Sequence, residues 1–189
     1  MDAIRRVDTP ITAAVIQQIA PSTASCSGAA FPDECATADV AATALGASFT
    51  TYDISSAAEQ TALLALVLFE SGNLQYDRNH WPGVPGQGTR NMQSPAYNLQ
   101  YATALFPGAR AQAAQAQGPA AVLYLLLGDQ ESFGSAAWFL STQCGQDVRA
   151  ALQAGTEQGF AAYLTQCVGT TATEGRLQGW RAARQVLLG

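Results

Sequence analysis

Ser56-Ala-Ala-Glu-Gln-Thr-Ala-Leu-Leu-Ala-Leu-Val-Leu-Phe-Glu70 is the stretch whose reading decides the fold class. A serine followed three positions later by a glutamate is a capping box, in which each side chain satisfies the other residue's backbone amide. The helix it opens ends near Gly72, a residue suited to a left-handed stop. Leu63, Leu64, Leu66, Val67, Leu68 and Phe69 leave it no polar face, so it belongs inside a core rather than on a surface. Glu70 sits at the end of that buried helix.

Outward from this helix the chain reads as more helices, with little strand signal. Thr9-Pro10 predicts a helix start and Pro21 closes that segment. Thr37 can cap a short alanine-rich helix to about Gly46, and the β-branched and aromatic residues Phe49 to Ile54 predict a brief extended stretch. Ser94-Pro95 starts a helix ended by Pro107-Gly108, and Pro119 opens another that Gly128 stops. Helical patterns also cover about 134–143, 146–154, 157–167 and, after a Thr173 cap, 174–188. Residues 73–94 form a loop of a length that is uncommon unless functional. With no repeat and no break in composition, residues 1–189 are read as one compact all-α domain around a buried central helix.

Composition narrows the possibilities. Alanine supplies 37 of the 189 residues, and small side chains let helices pack closely. The net charge is −5, and the nine basic residues are all arginine and scattered, which argues against a nucleic-acid partner. No apolar run exceeds eight residues, the length of Ala62 to Phe69, far below the roughly 18 of a membrane span. Cys26, Cys35, Cys144 and Cys167 form no CxxC pair and lie far from the one histidine, His80, so neither a zinc site nor any cofactor is expected. Of the pairings four cysteines allow, Cys26–Cys35 and Cys144–Cys167 are expected, since each brackets a compact excursion; buried free thiols of a cytosolic protein are the alternative. The opening MDAIRRVDTP lacks the apolar core of a signal peptide. The expectation is a secreted, extracellular protein in mature form, monomeric, with no membrane partner.

Most catalytic signatures are missing: no phosphate-cradling glycine loop follows a strand, and no nucleophile elbow exists for His80 to serve. Carboxylates remain. Glu70, at the end of an apolar helix, must pair, hold its proton or face a cleft. Around it, Glu70-Ser71-Gly72, then Asn91-Met92-Gln93 and Ser94-Pro95 with Tyr97, resemble the lysozyme-like superfamily, closest to soluble lytic transglycosylases and goose-type lysozymes. In those families a Glu-Ser motif ends a buried helix and a Gly-Leu-Met-Gln segment lines the cleft opposite. Arg90-Asn91 replaces the Gly-Leu here, the intervening loop is longer, and Ala136-Ala137-Trp138 is only a loose counterpart of the family's Ala-Tyr-Asn motif.

The resemblance implies a lysozyme-like catalytic domain, a muramidase hydrolysing peptidoglycan with Glu70 as general acid. Asp77 is the nearest candidate for a second catalytic carboxylate. Ser71, Trp81, Asn91, Met92, Gln93 and Tyr97 would bind substrate, Trp81 by stacking on a sugar and the two amides from one side of an extended segment. Related N-acetylated glycans, chitin or chitosan, are the rival substrates, and a secreted glycan-binding protein without turnover is the non-enzymatic rival.

Overall fold

The computed structural model describes residues 10–106 and 108–189; Thr9 and Pro107, assigned above to a helix cap and a helix stop, lie outside them. The first helix, α1 (Ala13–Ile19), starts from Thr12, whose Oγ1 accepts the Val15 amide at 3.3 Å. A tight 3-10 turn, Pro21–Ala24, follows. The order is then α2 (Ala38–Thr51), α3 (Ala57–Glu70), α4 (Pro95–Leu105), α5 (Ala109–Gln117), α6 (Pro119–Tyr124), α7 (Asp129–Gln143), α8 (Gln146–Gln153), α9 (Glu157–Ala162), a π turn (Tyr163–Val168) and α10 (Glu174–Leu187). Among the described residues there is no strand. Two isolated bridges, Arg78 to Gly88 and Gly88 to Gln93, pin the long loop to itself. The fold is all-α and forms one domain.

α3 is its axis. Every residue from Thr61 to Leu68 is buried, and the helix packs along α10 while touching α7 and α8. Phe69 departs from the all-round apolar pattern: it turns outward, and the Arg176 guanidinium lies over its ring, 4.8 Å from the centroid. α2 packs along α7. A further cluster gathers Tyr101, Val122, Leu126, Trp138 and Phe139, and Tyr52, Cys144, Cys167 and Val168 pack against both clusters.

The extended stretch expected at residues 49–54 is not there. α2 continues through Thr51, because Phe49 faces the core and the Thr50 and Thr51 hydroxyls donate to the Gly46 and Ala47 carbonyls one turn back, at 3.1 and 2.9 Å. Their β-branched preference is overridden by the partner helix. The Pro119 helix ends at Tyr124, short of Gly128, in a tightened turn with Leu126 N donating to Leu123 O at 2.8 Å and Leu126 fully buried. α5 fills a stretch that carried no helix expectation, burying only Ala111 and Ala114.

The capping box is half formed. Ser56 Oγ accepts the Glu59 amide, but the buried Glu59 carboxylate turns to Arg149 on α8, taking Nε at 2.7 Å and Nη2 at 3.2 Å. Both disulfides follow the expected local pairing, Cys26 with Cys35 and Cys144 with Cys167, and no cysteine is free. Among the described residues no helix is long and apolar enough to cross a membrane.

Candidate functional site

α3 ends where it reaches the surface. Gly72 adopts a left-handed φ of 58°, and the Asn73 amide closes the helix end by donating to Leu68 O at 2.7 Å. This leaves the Glu70 side chain at the mouth of a cleft, 17% exposed. It does not stand alone there. Arg176, from the first turn of α10, donates through Nε to Glu70 Oε1 at 2.9 Å and brings Nη2 to the same oxygen at 2.8 Å. Nη1 of the same guanidinium donates to Thr171 O at 3.2 Å, so Arg176 ties the approach to α10 to the end of α3.

Opposite lies the segment Gln87–Ser94. Gly88 carries its two bridges because a side chain there has no room: a Cβ would lie 2.5 Å from Asp77 O and 2.7 Å from Leu123 Cδ2. Asn91 and Gln93 both line the cleft, but through a turn and not an extended strand. Met92 has φ +50° and its amide donates to Thr89 O at 3.2 Å. Thr89 is also left-handed, at φ +63°. Non-glycine residues hold such conformations only where their surroundings over-determine them, and here the surroundings are visible. The Thr89 and Ser135 hydroxyls converge on Asn91 Oδ1 at 2.8 and 2.7 Å, so what Asn91 has left for a ligand is its amide NH2. Gln93 donates through Nε2 to Asn98 Oδ1 at 3.0 Å, and Asn98 Nδ2 donates to Gly86 O and Gln93 O at 2.8 and 3.1 Å.

The third wall is the π turn. π turns within helices recur at functional sites. This one is held by the Cys144–Cys167 bridge to the end of α7 and by Gly169 at its left-handed end. Tyr163, its first residue, is fully buried and lines the cleft. Burial, with the negative charge of Glu70 adding to it, pushes the phenol above its ordinary range, so it remains an O–H donor. Leu66, Met92, Tyr97, Phe139 and Val168 form an apolar side, with the Tyr97 and Phe139 rings edge to face at 4.9 Å. The cleft encloses about 280 Å³, and among the described residues its only charged lining residues are Glu70 and Arg176.

Glu70, Asn91, Met92, Gln93 and Tyr97 are thus brought together, and Ser71, Asp77 and Trp81 are not. Ser71 is buried, its hydroxyl donating to Val67 O at 2.6 Å and accepting the Leu74 amide at 2.9 Å, a helix-end brace. Asp77 is buried in a separate charged cluster: its amide donates to Glu34 Oε2 at 3.3 Å and its carboxylate accepts from Arg78 Nε at 3.1 Å. Burial pushes its carboxyl above the usual range, against the opposing pull of Arg90 and Arg78. Trp81 is 70% exposed and belongs to an aromatic group with Phe31, Tyr76 and His80. His80 stacks on Phe31 at 3.9 Å and points Nε2 at both Glu34 oxygens. Among the described residues no group of His, Cys, Asp and Glu side chains is placed to hold a metal ion. Arg176 and Tyr163 had no signal in the sequence: Arg176 lies 106 residues from its partner, and Tyr163 reads there as one more residue of an ordinary helix.

No family model matches the chain, and no solved structure does. A curated relative is a bifunctional dioxygenase–epoxy alcohol synthase of Fusarium oxysporum (strain Fo5176), 45% identical over 130 residues, which is 65% of this chain and 10% of that protein. The chain therefore spans about a tenth of the length of the relative it matches. This overturns the glycoside hydrolase expected above. The relative is named for oxygenation and epoxy alcohol formation, and the muramidase, the chitin-cutting rival and the glycan-binding rival all fall with that correction. Glu70 does not stand free in the cleft as the resemblance implied but is clasped by the Arg176 guanidinium. Asp77, expected as the second catalytic carboxylate, lies outside the cleft.

Proposed function

We propose that this chain is a ligand-binding domain whose cleft takes a neutral, oxygenated, partly apolar compound of the epoxy alcohol class. The observation that carries the reading is the closed Glu70–Arg176 pair in a cleft that is otherwise half apolar. The two charges cancel, so the site has no net attraction for an anion or a cation. The pair, the amide NH2 of Asn91 and the Thr170 side of the wall still offer polar contacts beside Leu66, Met92, Tyr97, Phe139 and Val168. Such sites fix a ligand with a few placed polar groups on an apolar surface. The name of the Fusarium relative supplies the compound class; its catalytic steps belong to the whole of that protein, of which this chain matches a tenth. The two disulfides support an oxidising, extracellular setting.

Calorimetric titration with epoxyhexanol, hexanoate and hexylammonium tests the reading. The neutral compound is expected to bind the wild type and the two ions to bind at least tenfold more weakly. Arg176→Gln removes the compensating cation, so the variant is expected to gain affinity for hexylammonium. Preferential binding of hexanoate by the wild type would sink the proposal.

A further inference from the structure

We propose that Tyr163 and Gln93 are the specificity-determining pair of this cleft and that together they select a free hydroxyl on the ligand, Tyr163 donating to it and Gln93 accepting from it. The proposal rests on the reading of the cleft as a site for a neutral oxygenated compound. It starts from two buried polar atoms, the Tyr163 hydroxyl and Gln93 Oε1, that have no hydrogen-bond partner among the described residues. Leaving such a group unmade in the interior is costly, and native folds rarely do so without a use. Both side chains line the same cleft.

The orientation of the Gln93 amide follows from its neighbours. Asn98 Nδ2 has two carbonyls to donate to, Gly86 O and Gln93 O, so Asn98 presents its oxygen to Gln93. Gln93 must then offer its NH2 to that oxygen, which leaves Oε1 as the unused atom. Among the buried polar atoms of the described cleft residues there are therefore one unpartnered donor that stays protonated and one unpartnered acceptor, apart from the more open amide NH2 of Asn91. An epoxide or ether oxygen accepts only, so it answers Tyr163 and leaves Gln93 unanswered. A carboxylate also accepts only, and would face Glu70. A hydroxyl both accepts and donates. Of the groups an epoxy alcohol carries, it is the one that satisfies both atoms.

The test titrates wild type and Tyr163→Phe with epoxyhexanol, epoxyhexane and hexanol, with a melting curve for each protein. Wild type is expected to prefer epoxyhexanol to epoxyhexane by about tenfold or more, since a site built to bond a hydroxyl discriminates strongly against its absence. Tyr163→Phe is expected to shrink that preference to within about threefold while the melting temperature holds or rises, because the substitution removes an unpartnered buried hydroxyl. Gln93→Met, which keeps length and loses the carbonyl, should shrink it likewise. If the wild type binds epoxide and alcohol equally, or Tyr163→Phe keeps the full preference, a bound water satisfies the two atoms and the hydroxyl selection is wrong, while the neutral-ligand reading stands. If none of the three compounds binds, that reading fails and takes this one with it. The wild-type ligand comparison decides the matter even if a variant does not fold.

Discussion

Glu59 and Arg149 form the pair on which one buried charge depends. Glu59 is almost wholly enclosed, and its bidentate contact with Arg149 is what makes that burial tolerable. Arg149→Ala strands the carboxylate, and denaturant unfolding is expected to show a loss of roughly 3–5 kcal/mol. Replacing both residues by apolar ones of similar size should recover most of it; a single-variant loss below about 1 kcal/mol would mean that water reaches Glu59. Asp77 carries a different signature. Its carboxyl is raised by burial, so the folded state holds this proton more tightly than the unfolded chain does. The stability it contributes is complete below the ordinary value of 3.8 and is lost as pH rises through the elevated folded value. Asp77→Asn removes this slope. The stability of the wild type relative to the variant is expected to fall as pH rises from about 3 toward 7, and a difference that stays flat across that range would show that burial does not govern this carboxyl. At this scale the sequence was half legible. The capping serine and the position of Glu70 could be read from spacing, whereas Arg176 and Arg149, the partners that define what Glu70 and Glu59 do, sit 106 and 90 residues away and share no local pattern with them.

Among the elements, α3 was legible because hydrophobicity on every side leaves a helix only one place to be. At the end of α2 the expectation differs from the structure because a strand-like run of Phe, Thr and Thr becomes helical once α2 packs along α7 and Phe49 is buried in the core. The long loop was recognised as unusual by its length alone, but which part of it meets the cleft was not: Gln87 to Gln93 does, while Trp81 stands apart. What divides the loop is Gly88, bridged on one side to Arg78 and on the other to Gln93. Gly88→Ala would drive a methyl into the Asp77 carbonyl and the Leu123 side chain. A loss of about 1–3 kcal/mol is expected, as for overpacking elsewhere. Amide exchange should speed up at position 88, which donates to Gln93 O, and at Asn79, which donates to Gln87 O, before it does in α3; unaltered exchange at those two amides would show that the bridges do not depend on the glycine.

For the molecule as a whole, all-α architecture and a single domain were readable from the succession of helical periods and the even composition. The chemistry was not, because a glutamate ending a buried helix has the same sequence signature whether it faces solvent, a substrate or an arginine. The Cys144–Cys167 bridge joins the end of α7 to the π turn that carries Tyr163, so it braces one wall of the cleft against the cluster around Tyr101 and Trp138. Replacing both cysteines by alanine opens a closed loop of 22 residues, and a stability loss of about 3 kcal/mol is expected from the chain entropy alone. Ligand affinity should fall with it. Replacing Cys26 and Cys35 should leave affinity unchanged; equal effects from the two pairs would mean that neither bridge shapes the cleft in particular.

The way the arginines are held has a consequence for proteolysis. The sequence contains no lysine, so trypsin can cut only after arginine. Arg5 and Arg6 lie outside the described residues. Of the others, Arg78, Arg90, Arg149, Arg176, Arg181 and Arg184 are each fastened to a carboxylate or a backbone carbonyl. Among the described residues Arg110 meets only the Phe106 ring, on an exposed helix that buries two alanines. A brief digest of the native protein should therefore nick within the chain at Arg110 first, giving two fragments that no disulfide joins and that stay together only through packing.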